Sequence, residues 1–423
     1  MVLRRALLLI ALVGCSKSLF DDSHGGDGGG GDAGAACPAP CIANAAGDFD
    51  GTPAPAHWRF LDDHRDRTWA PMSASGGALV GADPANTIST CAAHAGTSSC
   101  AALPGALLVS TSGATSAADP AIEFTAPMTQ VIQLGVHARF DAGGDQTIRL
   151  YRNSREDVLV TGLAVPGTTL DQTIAVDAIA GDRFLVAVAP TAAGASDVAV
   201  QVFVTDSGKV FPSNCQLAAA FDAVDSGGIK NLCGPTGFVD NDFNAGTMIA
   251  PALGAGPFAE QHMAADIVPN TFYTGGDILD KANDVTIQMW VRLDTVDPVN
   301  AGWAFSDYDL DNAGGVGVVF YDQSGVQLEV STCTSPNPLS FLGEHVPYAA
   351  DGMWHFIRVV HTNGNVTTCV DGKKVMTFPL AAGKLMSTFK PYMGKNVVWT
   401  PAGAFFDGGL DDVRVFSTAL ACQ

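Results

Sequence analysis

The sequence is short of helix-forming charge and of positive charge. Of its 43 acidic residues only five are Glu (Glu123, Glu156, Glu260, Glu329, Glu344), leaving 38 Asp, and only nine residues are Lys. Glu and Lys favour helices, whereas Asp and the 47 Gly favour turns, so a helical protein is excluded. Charged residues make up 15% of the chain, against about 25% in ordinary soluble domains. Lys and Arg number 22, which gives a net charge of −21. Such a chain does not neutralise phosphates, and nucleic acid is excluded as a partner. No run reaches the roughly 18 apolar residues that cross a bilayer as a helix. Catalytic signatures are missing too: there is no G-x-S-x-G, no H-E-x-x-H and no Walker motif. Each Gly-Lys is followed by Val210, Lys374, Leu385 or Asn396, never by Ser or Thr. No two Glu share a predicted strand, and no enzymatic activity is expected.

What remains is rich in Val, Ala, Thr and Gly, the composition of turn-rich β-sandwiches, and its 47% hydrophobic content is enough for packed cores. At the N-terminus, Arg4 and Arg5 precede an apolar run, Ala6 to Val13, too short to span a membrane. The run ends in Leu12-Val13-Gly14-Cys15, which resembles a bacterial lipobox. The resemblance implies a lipoprotein signal peptide over 1–14 and lipidation of Cys15. The mature chain is then held in the bacterial cell envelope by lipid, at the outer membrane or cell surface. Residues 15–47 form a Gly/Asp-rich tether. Gly26, Gly28 and Gly31 satisfy G-x-G-x-x-G there, but no strand precedes them and no helix follows, so a dinucleotide site is rejected.

Ten Cys fit an oxidising compartment. With Cys15 lipidated, Cys37 pairs with Cys41 across Pro-Ala-Pro and Cys91 with Cys100 across a polar loop. Cys333 and Cys369, in two predicted strands, form a third expected pair. Cys215 is left with Cys233 or Cys422, and one thiol of these three stays over. No C-x-x-C pair recurs and no His stands at ligand spacing from a Cys, which argues against zinc.

Two β modules follow. The first, over 48–207, opens with His57 to Leu61 and a charged run, then shows short strands about ten residues apart, split by Gly, Asp and Pro. In the last of them Val198, Val200, Val202 and Val204 occupy one face and Ala199, Gln201 and Phe203 the other. Ala180-Gly181-Asp182, before Phe184-Leu185-Val186, resembles the strand start of secreted carbohydrate-binding-like jelly rolls, which bears on fold alone. The second module, over 214–423, contains a strict alternation, Val285, Ile287, Met289, Val291 and Leu293 on one face. A hairpin turns around Asp322 to Gly325, and Asp371-Gly372 between two β runs is a strong hairpin signal.

In this second half the strand with Trp290, the run Gly352-Met353-Trp354-His355-Phe356, then Val370-Asp371-Gly372, and the closing Gly409-Leu410-Asp411-Asp412-Val413-Arg414-Val415 stand in a familiar order. Together they resemble the LamG-like (laminin G, concanavalin A-like) jelly roll of bacterial secreted proteins. The whole is therefore expected to be all-β, two β-sandwich domains with the second a jelly roll. The resemblance implies two curved antiparallel sheets with the first and last strands adjacent. It also implies a role in binding a glycan or a cell-surface protein; a structural part of an envelope or appendage assembly is the alternative, and a cryptic glycosidase or lyase a second one. Many such domains hold calcium between first and last strands, and the matching positions are Asp222 and Asp411, with Asp225 and Asp412 beside them. Concanavalin-like glucanases carry E-x-D-x-x-E on one strand, which Glu329 does not start. Asp307, Asp309 and Asp311 begin like an EF-hand, but Asn312 and Val318 stand where Gly and Glu belong, so a solvated loop is expected. Trp290, Trp354 and His355 are assigned to the core, and Trp58, Trp303 and Trp399, near turns, are the candidates for stacking on sugar.

Overall fold

The computed structural model describes residues 37–422 outside 56, 65–67, 114–115, 143–144, 192–195, 212–213, 222–227, 234–242, 246–251, 258–262, 269–271, 275–283, 295–301, 310–313, 323–325, 334–340, 349–350, 380–390 and 396–405. Cys15, the first part of the tether, Asp222, Asp225, Asp311 and Trp399 lie outside the described residues. The described chain is almost entirely antiparallel β structure in four sheets. Sheet I runs Thr169–Ala178, Gln130–Arg139, Ser196–Asp206, Leu107–Thr111, Thr87–Thr90, Ala78–Val80, Ser73–Ser75, with Cys41–Asn44 also on Ser196–Asp206. Sheet II runs Val158–Ala164, Gln146–Arg152, Arg183–Pro190, Ala118–Thr125, Trp58–His64, Trp69–Pro71. These two sheets make the first sandwich.

Sheet III runs Ala252–Ala255, Met263–Ile267, Gly408–Phe416, Val285–Leu293, Trp354–Thr362, Asn365–Val370, Lys373–Pro379. Cys215–Ala219 pairs with Gly408–Phe416, so the module's first and last strands are neighbours, as the jelly-roll resemblance implies. Sheet IV runs Gly228–Ile229, Phe243–Ala245, Tyr273–Thr274, Tyr392–Met393, Gly302–Asp309, Gly314–Asp322, Val326–Cys333, Phe341–Pro347. The period-2 faces pack as alternation requires: Val198, Val200, Val202 and Val204 enter the core of the first sandwich, and Val285, Ile287, Met289, Val291 and Leu293 that of the second. Asp371 and Gly372 turn the hairpin with φ of 50° and 75°, the doubly left-handed turn that matches strand twist.

The central strands of sheets II and III are buried on both faces. Arg183–Pro190 and Gly408–Phe416 have no exposed position. Their inner faces fill the sandwich cores; their outer faces pack against each other. From sheet II come Leu61, Ala121, Tyr151, Leu185 and Ala187 with Trp69 against them. Trp69 also meets Trp290, Phe356 and Trp354 of sheet III. Trp290 and Trp354 thus fill the junction between sandwiches rather than the inside of one. Gly409 is required beneath them, because a Cβ there would collide with the Trp354 ring.

Between these apolar patches lies a layer of buried charge. Arg152 Nε donates to Asp157 at 2.8 Å, and Arg358 of sheet III reaches the other oxygen of Asp157. Gln288 Nε2 also donates to Asp157, at 3.0 Å, and Gln288 Oε1 accepts from Arg358 Nε at 3.2 Å. Arg414 grips Asp182 with two bonds of 2.7 and 3.1 Å and Asp412 with its Nε at 2.6 Å. Arg152, Asp157 and Asp182 come from the first sandwich; Gln288, Arg358, Asp412 and Arg414 come from the second. Three guanidinium groups meet three carboxylates, none more than 7% exposed.

Disulfides join Cys37 to Cys41, Cys91 to Cys100, Cys215 to Cys233, and Cys369 to Cys422. The expected Cys333–Cys369 pair is corrected: Val326–Cys333 belongs to sheet IV and Asn365–Val370 to sheet III, so the strands sit in different layers. The tail instead returns along sheet III, where the Ala421 carbonyl accepts from Arg358 at 2.8 Å. The Asp307 region is also corrected, since Asp307 and Asp309 belong to the strand Gly302–Asp309 and Asp307 is fully buried. Its position faces Val316, a core residue, across the ladder.

The ionic layer makes a direct prediction. Replacing Asp157 by Ala leaves Arg152 and Arg358 buried without their counter-charge, and should cost about 3–5 kcal/mol in urea unfolding. Burial opposes ionisation of Asp182, but Arg414, Arg152 and the Ile179 N–H outweigh it and hold the carboxyl at about 2, below its ordinary 3.8. A depressed carboxylate stabilises above its unfolded value and loses that contribution as pH falls. A stability profile should therefore lose roughly 2 kcal/mol between pH 4 and 2, and Asp182→Asn should flatten that part of it. Peptide mapping under non-reducing conditions should recover Cys369 linked to Cys422.

Candidate functional site

The closing strand carries a β-bulge. Along Gly408–Phe416, Arg414 pairs with Gln288 and Asp411 with Trp290, so Asp412 and Val413 together face the single residue Met289. Asp412 takes a left-handed φ of 43° to make the insertion. Leu410 and Val413 both stay in the core, and the acidic pair between them is turned out of it, toward the first sandwich. A cleft of about 160 Å³ opens there, between the Ile179–Asp182 loop with Asn153 on one side and Ala218, Ala220, Leu232, Asp411, Asp412 and Arg414 on the other. Gly181, at φ 94°, lets that loop bend back.

The polar groups of this cleft are largely engaged with each other. Asp182 takes two bonds from Arg414 and accepts the Ile179 N–H at 3.0 Å and Asn153 Nδ2 at 3.1 Å. Asp411 Oδ1 accepts the Asp412 N–H at 2.8 Å. Burial raises the Asp412 carboxyl although Arg414 opposes it. Arg414, between Asp182 and Asp412, stays protonated: the two carboxylates overcome the cost of burial.

Of the four residues expected to hold calcium, the fold brings Asp411 and Asp412 to this cleft, while Asp222 and Asp225 lie outside the described residues. A calcium ion takes six to eight oxygens, whereas one oxygen of Asp412 is occupied by a guanidinium and one of Asp411 by a backbone N–H. Among the described residues no three His, Cys, Asp or Glu side chains converge on a common point. The stacking candidates Trp58 and Trp303 are buried, 2% and 4% exposed. Trp58 lies in the first core with its Nε1 donating to Asp48 at 2.8 Å, so neither ring is available to a sugar.

His355 is not a core residue. Its side chain is 15% exposed and held between two carboxylates, Asp371 at 2.7 Å from Nδ1 and Asp351 at 3.2 Å from Nε2, with Tyr348 packed edge-on. Asp371 also accepts the Phe356 N–H at 3.0 Å, which fixes the hairpin turn to the neighbouring strand. The hydrogen bond to Asp371 raises the imidazole above its ordinary 6.5, and burial only partly offsets this. The charged form therefore supports the fold below pH 6.5, and the support fades as pH rises through the shifted value. In an NMR titration the His355 ring should titrate above 6.5, and Asp371→Asn should bring it down; a midpoint unmoved by that change would disprove the pairing.

Residues 270–423 match the sequence profile of the concanavalin A-like lectin/glucanases superfamily. Among curated protein sequences none matches the chain. Several solved structures are similar in outline. Domain 4 of AbnA, a GH43 extracellular arabinanase from Geobacillus stearothermophilus solved with arabinotriose, is 16% identical with a TM-score of 0.38, over 49% of this chain and 94% of that one. The botulinum neurotoxin serotype D binding domain is 8% identical with a TM-score of 0.35, over 49% of each chain, so only about half of its length is spanned. A heptameric SAP-like pentraxin from Limulus polyphemus is 17% identical with a TM-score of 0.28, over 34% of this chain and 68% of that one. Likeness at these scores carries no argument about ligands. The profile match and the two-sheet sandwich with adjoining terminal strands agree that the C-terminal module is a concanavalin A-like, LamG-like β-sandwich.

Proposed function

We propose that this chain is a lipid-anchored, extracytoplasmic binding protein that recognises a glycan or a cell-surface protein through its C-terminal module and catalyses nothing. The observation that carries the reading is the concanavalin A-like sandwich itself, locked by one sheet to a second sandwich and leaving sheet IV facing away from it. The disulfides support an oxidising, extracytoplasmic compartment. Absence of catalysis is supported by the cleft chemistry. Asp182 and Asp412 share Arg414, which donates to both oxygens of Asp182 and to one of Asp412. Asp182, at about 2, is no proton donor at neutral pH.

Three measurements test the proposal. A glycan array with the intact chain should give specific binding that EDTA leaves unchanged; silence on every glycan, with and without EDTA, would turn the reading toward a surface protein or an assembly role. Millimolar calcium should leave the melting temperature where it was; a rise would restore a metal site at Asp222, Asp225, Asp411 and Asp412, because a ligand of the folded state alone must stabilise it. Cys15→Ser should move the protein from the membrane fraction to the soluble one, and retention on the membrane would disprove lipid anchoring there.

A further inference from the structure

We propose that the outer face of sheet IV carries a binding platform for a carboxylated sugar, built from Tyr392, Phe272 and Lys395. The placement follows from the ladder. Tyr273, Met393 and Phe305 point into the core, so their chain neighbours Thr274, Tyr392 and Ser306 point outward. Thr274 and Ser306 are the direct cross-strand partners of Tyr392 on either side. The three strands lie in the middle of the sheet. Sheet III, not sheet IV, meets the first sandwich; on this face Ser306 is buried, and the partly exposed side chains are Phe272, Thr274, Tyr392 and Lys395.

Phe272 and Tyr392 are both partly exposed, with ring centroids 5.5 Å apart and planes tilted by 49°. The Lys395 ammonium lies 4.5 Å from the Phe272 centroid and 5.5 Å from that of Tyr392. Its backbone is fixed. Gly394, with φ 87°, turns the chain and donates to the Ala304 carbonyl at 2.9 Å. Ser306 Oγ then donates to the Lys395 carbonyl at 3.0 Å. The ammonium makes no ion pair with any described residue, although acids outnumber bases by 43 to 22. By contrast Arg59, Arg139, Arg152, Arg155, Arg292, Arg358 and Arg414 each hold a carboxylate. The Thr274 hydroxyl beside Tyr392 is shielded and also without a partner among the described residues. Two partly exposed rings beside a cation that pairs with no described carboxylate mark a polar contact the protein does not make with itself.

These groups select a ligand class. A pyranose places its C–H face on an aromatic ring, which suits Tyr392 and Phe272. A neutral sugar has no use for the cation; a uronic-type sugar sets its carboxylate against Lys395, a charge-assisted bond in surroundings partly shielded from water. The inference rests on the glycan-binding reading and adds the site and the charge of the sugar to it.

Titration calorimetry of the intact chain with trigalacturonate and with neutral galactotriose tests it. Trigalacturonate should bind about tenfold more tightly or better, the ratio expected of one charge-assisted hydrogen bond. Lys395→Gln should erase the difference, Tyr392→Ala should weaken both sugars, and Tyr392→Phe, which keeps the ring, should retain binding and certify the fold. Equal affinity for the two sugars, or no effect of Lys395→Gln, would overturn the proposal. If glycans found on the array bind unchanged to both variants, the platform is wrong and the glycan reading stands. If no glycan binds at all, both fall.

Discussion

The bond set around Asp157 and Asp182 decides the shape of this molecule. Each carboxylate belongs to the first sandwich and each is gripped by a guanidinium from the second, Arg358 on Asp157 and Arg414 on Asp182. Ion pairs this deeply buried add little net stability over apolar packing of the same volume, because both charges lose their water. Their effect is on geometry. Any other docking of the two sandwiches would break the pairs that cross between them and leave Arg358 and Asp182 without their counter-charges in a dry interface. The apolar patches around Trp69, Trp290 and Phe356 supply attraction without direction; the ionic layer supplies the direction. The bulge at Asp412 belongs to the same device, since it brings a second carboxylate to Arg414 without moving Leu410 or Val413 out of the core.

The layer also accounts for the division of labour among the four sheets. Sheets II and III spend their outer faces on each other, so neither offers a broad free surface. Sheet I has part of its outer face covered by the Cys91–Cys100 segment, where Leu108 and Ala199 pack. Sheet IV is left with an outward face centred on the short strands Tyr273–Thr274 and Tyr392–Met393. A recognition surface there sits on a rigid support, because the sheet beneath it is packed against a second domain.

Much of this was legible in the sequence. Period-2 runs such as Val198 to Val204 and Val285 to Leu293 specify both strand and face, since only one alternation buries every apolar side chain. Asp371-Gly372 specifies its hairpin because both residues tolerate positive φ. The junction was not legible. Asp182 stands at a familiar strand start, and nothing local says that its partner lies 232 residues away. A clue existed in Arg183–Pro190, which is apolar at nearly every position and so reads as a strand buried on both faces, unlike the one-sided strands of an isolated sandwich. Tryptophans misled for a related reason. Trp58 and Trp303 stand near turns in sequence yet are buried, and the partly exposed ring pair, Phe272 and Tyr392, is split across 120 residues of chain. Strand spacing alone pairs Cys369 with Cys333, but sheet membership, which only the fold reveals, gives it to Cys422.

The disulfides all close loops within one sandwich or the other: Cys37–Cys41 and Cys91–Cys100 in the first, Cys215–Cys233 and Cys369–Cys422 in the second. None crosses the ionic layer, and the strand Cys41–Asn44 and sheet IV lie at opposite sides of the stack. A pull between those two sides is therefore carried in tension by short-range bonds between Arg358, Arg414 and their carboxylates. Bonds of that kind yield little before they part. Under load the molecule is stiff at first and then opens at one plane, between sheets II and III, with both stapled sandwiches still folded on either side.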